Sequence, residues 1–301
     1  MKNRHIISTQ ERILSRDPLQ AYSKVMRRVR LKNTIRWTAR TGVLAICVAS
    51  LCLWLFPVSK SPVLKQQILT VESKSGMRTS FQLPDSTMVY LNSGSKLTYS
   101  IPFSEKERRL ELSGEAYFKV KHAPGLPFLV EMPDKELTIK VLGTEFNVEA
   151  YPEDEIINTT LIHGSLLIEG KTAGGKIPER ILSPSEKATY FREECRLEVK
   201  TVDIICDTGW MEGKIVLKNT PLPEMLRKLT HHYNVDFIVE DSVLETYLFT
   251  GVFNNRTLAQ VLDYLELSSG IDYKLSFSSK DDSESISRQE VILRKRKSGA
   301  R

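Results

Sequence analysis

The chain has little of the chemistry on which metal sites and disulfide frameworks depend. Only four cysteines and five histidines occur among 301 residues, and no Cys-x-x-Cys or paired Cys/His spacing is present. Because zinc sites need several such ligands at short intervals, the sequence predicts no metal and no cofactor. Cys195 and Cys206 are eleven residues apart, so a disulfide between them is possible in an oxidising compartment, and this stays open.

A recognisable catalytic arrangement is also absent from the sequence. The run 165–172 (SLLIEGKT) resembles a phosphate-binding loop, but serine stands where the first glycine is needed and a glycine-rich turn follows instead of a helix. Glu115 and Glu145 follow glycines, and nothing in their spacing makes them the facing carboxylates of a glycoside hydrolase. His231 and His232 are expected in solvent, at the exposed end of a helix. An enzyme is therefore disfavoured.

Positive charge is confined to one end of the chain. The formal net charge is +6, from 43 Lys and Arg and 37 Asp and Glu. Residues 1–40 carry eleven basic side chains against Glu11 and Asp17, so the other 261 residues hold 32 basic and 35 acidic ones. A nucleic-acid-binding protein would carry a basic surface on its folded part. The distribution argues against nucleic-acid binding and marks residues 1–40 as a basic tail.

One long segment has no charge at all. Residues 41–59 (TGVLAICVASLCLWLFPVS) contain nineteen residues without Asp, Glu, Lys or Arg. As a helix rising ~1.5 Å per residue they would span roughly 28 Å, close to the ~30 Å hydrocarbon core of a bilayer. Trp37 and Trp54 lie near its ends, at the depth that indole rings prefer. We expect one transmembrane helix, with the basic tail in the cytoplasm by the positive-inside rule.

Three other interpretations of residues 41–59 are weaker. A cleaved signal peptide would have a much shorter basic lead than forty residues. A lipoprotein anchor at Cys52 would need a small residue before the cysteine, and Leu51 is large. A buried core helix would not need so long an uncharged run. The following residues, 60–66 (KSPVLKQ), are expected to form a linker.

The basic tail contains a candidate amphipathic helix. Asp17 can cap it, and Pro18 suits its first turn. Its apolar residues recur at steps of three and four: Leu19, Tyr22, Val25, Met26 and Val29. A helix this short is marginal alone, because nothing else in the tail can pack against it. The stripe is therefore expected either to bind a partner protein or to lie on the membrane surface, and its periodicity does not separate the two.

Residues 67–204 show the pattern of an all-β domain, sandwich-like or roll-like. Short runs rich in Val, Ile, Thr, Tyr and Phe are cut by Gly, Pro, Asn and Asp every eight to twelve residues. The predicted strands include Met88–Leu91, Glu115–Val120, Phe128–Val130, Leu137–Val141, Phe146–Ala150, Thr160–Leu167 and Leu197–Val202.

Several residues of this region have predicted structural roles. Gly114 and Gly143 are expected to end strands in tight turns. Asn92 and Asn147 are expected to bond local backbone in turns. Three aromatic residues should point into the core: Phe118, Phe128 and Phe146.

After Trp210 the periodicity becomes that of a small α+β module, residues 210–297. Residues 220–233 and 257–269 each place apolar side chains on one helical face, and Thr257 with Gln260 predicts a capping box. Strand-like runs flank the helices: Ile215–Leu217, Val235–Val239, Leu248–Val252, Tyr273–Phe277 and Val291–Leu293. The pattern that begins at Asn219 recurs thirty-six residues later without a gap. We expect two β-α-β units that share one small sheet.

Six runs carry a resemblance to a known family. They are 83–87 (LPDST), 91–93 (LNS), 112–120 (LSGEAYFKV), 127–130 (PFLV), 141–148 (VLGTEFNV) and 161–166 (LIHGSL). Together they resemble the FecR family of inner-membrane anti-sigma regulators of Gram-negative bacteria. The likeness covers about residues 70–295 in order, and the part from Trp210 is similar to the family's C-terminal domain, which is related to the signalling domain of TonB-dependent receptors. Ser86 departs from the family pattern, which often has glycine there.

The resemblance implies a signal relay. An outer-membrane TonB-dependent transporter would present its signalling domain to residues 210–297 in the periplasm, and the tail would bind an extracytoplasmic-function (ECF) sigma factor in the cytoplasm, with an intramembrane protease taking part. The candidate receptor contact is the edge run Leu248, Phe249, Thr250, Gly251 and Val252. The candidate sigma-factor contact is Leu19, Tyr22, Met26 and Val29, although the tail lacks a full cytoplasmic anti-sigma domain.

A membrane-tethered periplasmic binding or assembly protein, which sends no signal inward, is the alternative. It would use the same α+β module. The amphipathic stripe in the tail favours the relay, because a protein that needs only an anchor has no use for it.

Overall fold

The computed structural model describes residues 50–51, 66–172, 175–277 and 288–296. The predicted tail helix and linker lie outside these residues, apart from the linker's last residue, and so does the predicted transmembrane segment except for Ser50 and Leu51, which are helical. Within the described ranges, no helix combines the length and the apolar character that crossing a bilayer requires. Residues 65–301 form one compact unit.

Thirteen strands occupy residues 67–201, as the β-rich pattern predicts. They are β1 (Gln67–Ser73), β2 (Thr79–Gln82), β3 (Met88–Leu91), β4 (Ser95–Ile101), β5 (Arg108–Lys119), β6 (Phe128–Glu131), β7 (Leu137–Val141), β8 (Glu145–Ala150), β9 (Ile156–His163), β10 (Leu166–Thr172), β11 (Gly175–Leu182), β12 (Glu186–Phe191) and β13 (Arg196–Thr201). The predicted strand Thr160–Leu167 is wrong, because Gly164 takes a φ of +96° and turns the chain between β9 and β10.

The strands form two sheets that share β5. One has the order β1-β4-β5-β6-β7-β10-β11, and the other contains β2, β3, β5, β8, β9, β12 and β13. Pairing is antiparallel except between β5 and β6. The first half of β5 pairs with β4, and the second half, from Gly114, pairs with β8.

Gly114 allows β5 to pass from one sheet to the other. Its φ is +100°, and a Cβ on it would lie 2.5 Å from the Oγ of Ser95. No side chain fits in so small a gap, and an L-residue would also be strained at this φ. The prediction that Gly114 ends a strand is therefore wrong, because it bends one continuous strand. Gly143 does lie in a turn, between β7 and β8.

Both halves of β5 contribute side chains to one apolar core, Leu110 and Leu112 from the first half and Ala116 and Phe118 from the second. Arg108, at the start of β5, is fully buried, donates a 2.9 Å hydrogen bond to the carbonyl of Lys121 and pairs with Asp85 at 2.6 Å. The same core contains the three predicted aromatics, Phe118, Phe128 and Phe146, which are all fully buried. The ring of Phe118 stacks on Phe146 at 5.1 Å and meets the edge of Phe128 at 5.8 Å.

Ser86 adopts the backbone that glycine would favour. Its φ is +70°, its N–H donates to the carbonyl of Leu83, and the Leu83 N–H donates to the carbonyl of Thr87. The tight turn between β2 and β3 therefore forms with serine in the left-handed region, where a non-glycine residue costs roughly 1–3 kcal/mol.

The described residues of the C-terminal part, 205–277 and 288–296, contain three helices and five strands. They are α1 (Ile205–Thr208), β14 (Lys214–Pro221), α2 (Leu222–Tyr233), β15 (Val235–Val239), β16 (Leu248–Asn254), α3 (Leu258–Ser269), β17 (Ile271–Phe277) and β18 (Gln289–Lys295), with 3-10 turns at Gly209–Glu212 and Ser242–Thr246. A second apolar core gathers the buried faces of α2, α3 and the strands. The two predicted helices and the Thr257/Gln260 capping box are confirmed.

The thirty-six-residue repeat is visible in the backbone. Both α2 and α3 start and end thirty-six residues apart, and the residues that end them, Asn234 and Gly270, are both left-handed. The prediction of a single shared sheet is wrong. The first strands of the repeats, β14 and β16, form one antiparallel pair, whereas β15 and β17 lie on either side of β18 in a second sheet.

Candidate protein interfaces

The predicted receptor contact lies on an open strand edge. β16 pairs only with β14 among the described strands. Leu248 and Val252 project into solvent with 62% and 60% of their surface exposed, while Phe249 and Phe253 pack into the second core. The predicted sigma-factor contact of the tail, Leu19, Tyr22, Met26 and Val29, lies outside the described residues.

The edge of β16 is unprotected. Natural proteins usually guard an open edge with charges, prolines or short strands. β16 (LFTGVFN) has seven residues with neither charge nor proline. The other long open edges in the described part of the chain carry such guards, for example Pro178 in β11 and the alternating charges of β13 (RLEVKT). β16 is therefore the strand most suited to accept another strand.

A groove runs beside this edge. A cavity of about 320 Å³ lies between β16 and α3, lined by Gly251, Val252, Phe253, Arg256, Gln260 and Tyr264. Tyr264 is 45% exposed and its ring meets the ring of Phe253 edge-on at 5.4 Å. The groove combines an apolar wall with one cationic side chain, so it could take an apolar side chain from an added strand.

A second set of contacts joins the C-terminal part to the β-sheets. The indole N–H of Trp210 donates to Asn147 Oδ1 at 3.2 Å, and Arg78 donates to the carbonyl of Trp210 at 2.5 Å. His231 stacks on Tyr151 with ring centroids 3.5 Å apart and hydrogen-bonds Asp154 at 2.9 Å. We call this contact region, around Trp210, Arg227 and His231, the junction.

Two predictions about junction residues are wrong. His231 is buried instead of solvated, because the face of α2 that carries it packs on Tyr151 at the end of β8. Asn147 lies within β8, and its amide donates to Glu115 and accepts from Trp210 instead of bonding local backbone. No disulfide joins Cys195 and Cys206, because both are free thiols.

Buried ion pairs dominate the junction. Arg227 of α2 binds the carboxylates of Glu149 and Asp154, which are nearly buried. Next to it on α2, Lys228 donates to the carbonyl of Cys206 at 2.8 Å and lies 3.3 Å from Asp207. Burial alone would raise the pKa of Glu149, but the charges of Arg227, Lys228 and Lys187 hold it well below its usual range. Glu149 and Arg227 therefore stay charged although they are removed from water.

The pKa of Glu115 is shifted in the opposite direction to that of Glu149. Burial, followed by the charge of Glu149, raises its pKa to about 8, although the amides of Asn147 and Asn92 donate to its two oxygens and oppose the change. At neutral pH the two neighbouring carboxyl groups therefore differ in protonation: Glu149 is ionised and Glu115 is largely protonated.

We expect Glu115 to make the protein less stable as the pH rises from 6.5 to 8. A glutamate in the unfolded chain has a pKa of ~4.3 and is ionised throughout this range, whereas folded Glu115 keeps its proton up to a pKa of about 8. The folded state binds more protons, so the free energy of unfolding falls, by at most ~1.4 kcal/mol per pH unit for one group. Urea unfolding at several pH values measures this slope.

Glu115→Gln is the matched variant for that experiment. It should be less stable at every pH, because its amide N–H₂ must face the N–H₂ groups of Asn92 or Asn147, but its stability should no longer depend on pH between 6.5 and 8. The range starts at 6.5 because burial, followed by the charge of Arg78, lowers the pKa of His232 to about 4, which gives the opposite slope below that pH. An unchanged slope in the variant would assign the effect to another group.

Glu149, Asp154 and His231 could each offer one ligand atom to a cation, since these atoms lie within 4.8 Å of one another. Arg227 already binds both carboxylates, and the Nε2 of His231 is hydrogen-bonded to Asp154. A metal ion would have to displace a buried guanidinium. The cluster is therefore better described as a set of ion pairs than as a metal centre.

A cavity of about 630 Å³ lies between β9, β12, β13 and the start of α2. Its walls carry both signs of charge, with Lys187, Lys200 and Arg227 among five acidic side chains. No nucleophile and base converge there among the described residues, so the cavity does not suggest a reaction.

Comparison with known proteins matches two segments of the chain. The model of the FecR protein family matches residues 69–167, and the model of the FecR C-terminal region matches residues 214–281. Two crystal structures of a candidate anti-sigma factor from Parabacteroides distasonis, at 1.65 and 2.50 Å resolution, are similar over their whole length. Each is 27% identical with a TM-score of 0.64, and they cover 76% and 77% of this chain. No curated protein matches. With both halves of its described part matched in order, this chain belongs to the FecR family.

Proposed function

We propose that the chain is a membrane-anchored, anti-sigma-like regulator that carries a signal from the periplasm to the cytoplasm by protein–protein contacts. Membership of the family supports this role, as does the likeness to a candidate anti-sigma factor. In the proposal, residues 41–59 cross the inner membrane once, residues 1–40 lie in the cytoplasm, and residues 67–204 and 210–297 are two periplasmic domains.

The receiving surface in this proposal is β16. The signalling domain of a loaded TonB-dependent transporter would add a strand to its open edge, over residues 248–252. The observation that carries the proposal is the uncharged edge itself, because a soluble protein with no partner for such a strand would be exposed to aggregation. The groove beside Val252 offers a place for a side chain of the added strand.

The output surface in this proposal is the apolar stripe of the tail. Leu19, Tyr22, Met26 and Val29 would bind an ECF sigma factor, and an intramembrane protease would release the tail after the signal. No cofactor or nucleic acid takes part.

Co-purification tests the output surface. The full chain in detergent should retain an ECF sigma factor of the same organism, and Tyr22→Asp with Met26→Asp should abolish retention, because two charges then face the apolar contact. Gln20→Asp with Ser23→Asp adds the same charge off the stripe and should leave retention unchanged. Equal retention by both double variants would exclude the stripe as the contact.

Deletion of residues 1–30 separates the relay from the alternative assembly protein. A relay loses all transcriptional response when these residues are removed. A periplasmic assembly protein keeps its function, because the membrane segment remains.

A further inference from the structure

Exposed aliphatic side chains collect at one end of the first sheet. Ile68 is 79% exposed, Ile181 64%, Leu142 46%, Leu69 42% and Ile101 36%. They account for one third of the fifteen large apolar residues that are exposed in the described ranges. Scattered single residues would need no explanation, but a cluster points to a contact.

The strand register brings these residues together. Gln67, next to Ile68, pairs with Ile101 at the end of β4. Arg108, at the start of β5, pairs in parallel with Phe128, and Phe128 pairs with Val141, which precedes Leu142. Further along, Leu167 pairs with both Lys140 and Ile181. Ile68, Ile101, Leu142 and Ile181 therefore lie along one end of the sheet, which we call the strand-end face.

Basic residues accompany the aliphatic ones. Lys106, Lys121, Lys140 and Arg180 are exposed at or beside this face, against the exposed acids Glu105 and Glu179. Arg108 ties the loop of Lys121 to it by a hydrogen bond from Nη1 to the Lys121 carbonyl. Exposed aliphatic side chains next to Lys and Arg are typical of protein surfaces that bind to lipid headgroups.

The covalent chain keeps this face near the membrane. β1 begins at Gln67, and the predicted transmembrane segment ends at residue 59. The intervening seven residues, 60–66, can span at most roughly 25 Å. The C-terminal part packs at the other end of the sheet, where Tyr151 donates to the carbonyl of Ser93 and stacks on His231.

We propose that the strand-end face docks on the surface of the bilayer in which the chain is anchored, with Ile68, Leu142 and Ile181 among the headgroups. This inference rests on the anchoring proposed above. Because the tether makes the contact intramolecular, a weak interaction is enough to populate it. Docking directs the C-terminal part and the edge of β16 away from the membrane, toward a partner in the periplasm.

Quenching of a fluorophore by lipid tests the docking. The full chain, with its four cysteines replaced by alanine, carries Ile181→Cys labelled with nitrobenzoxadiazole in nanodiscs of phosphatidylcholine and phosphatidylglycerol, with nitroxide on some headgroups. The same label at Leu275→Cys, in β17, is the control, since Leu275 is also half-exposed at 43%. We expect several-fold stronger quenching at residue 181. Adding Ile68→Glu and Leu142→Glu should reduce it to the control level.

The outcomes separate docking from anchoring. A chain that does not migrate with the nanodiscs overturns both proposals. One that migrates with them but is quenched equally at residues 181 and 275 overturns docking alone. A spectral shift at residue 181 that follows protein concentration and not nitroxide content would assign the face to a second copy of the chain, and would also overturn docking.

Discussion

Leu248→Lys combined with Val252→Lys should abolish the transcriptional response to the transporter's ligand. Both side chains are exposed on β16, so the two charges should change the free energy of unfolding by no more than ~0.5 kcal/mol. They place ammonium groups along the edge where the transporter's strand would pair, and charge at an edge is the device by which natural sheets prevent strand addition. A reporter gene under the ECF sigma factor, with and without ligand, measures the effect.

The matched control is Ile238→Lys combined with Leu275→Lys. These residues are also aliphatic and about half-exposed, at 45% and 43%, but they lie on β15 and β17 of the other small sheet. The control should respond like the natural protein. A response that survives in the β16 variant, or is lost in both variants, would show that the signal does not enter through β16.

Arg227→Met should destabilise the protein by ~3–5 kcal/mol, because it leaves the Glu149 and Asp154 carboxylates buried without their cation. Methionine has a similar length and apolar stem, so packing changes little. Urea unfolding followed by circular dichroism at pH 7 measures the loss. Arg196→Met is the control: Arg196 also binds two carboxylates, of Glu194 and Glu198, but all three are exposed, and the change should be within ~1 kcal/mol.

Neutralising the carboxylates should rescue this variant. Arg227→Met with Glu149→Gln and Asp154→Asn removes the uncompensated charges and should recover part of the lost stability. Without that recovery, the loss would reflect packing of α2 and not charge.

Acid should weaken the natural junction as well. Because the pKa values of Glu149 and Asp207 are lowered in the folded protein, their contribution to the free energy of unfolding is complete above pH ~4.3 and is lost as the pH falls below it.

Local patterns predicted the elements of this fold well. The strands Met88–Leu91 and Leu137–Val141, the helices after Pro221 and Thr257, and the capping box follow from periodicity and from end signals that lie within a few residues of each other. The repeat was readable for the same reason, since it preserves spacing in one stretch of chain.

What could not be predicted depends on partners far apart in sequence. Arg227 and Glu149 are 78 residues apart, and His231 and Asp154 are 77 apart, so no local pattern signals that these charges are buried together. The sequence around Glu115 gave no sign that it is buried, because both of its carboxylate oxygens accept hydrogen bonds from asparagines more than twenty residues away. Periodicity gave no signal for His231 either, because it lies on the side of α2 opposite to Leu222, Leu226 and Leu229.

β14 and β16 are equivalent strands of the two repeats, and Val216 lies opposite its own equivalent, Val252. On either side of this pair, Ile215 lies opposite Phe253 and Leu217 lies opposite Gly251, so a two-fold rotation interchanges the two flanking pairs. The two valines therefore mark a local two-fold axis, such as relates the halves of a symmetric dimer. One repeat alone would leave β14 or β16 without a paired strand. The C-terminal part thus has the internal symmetry of a homodimer, held within one chain.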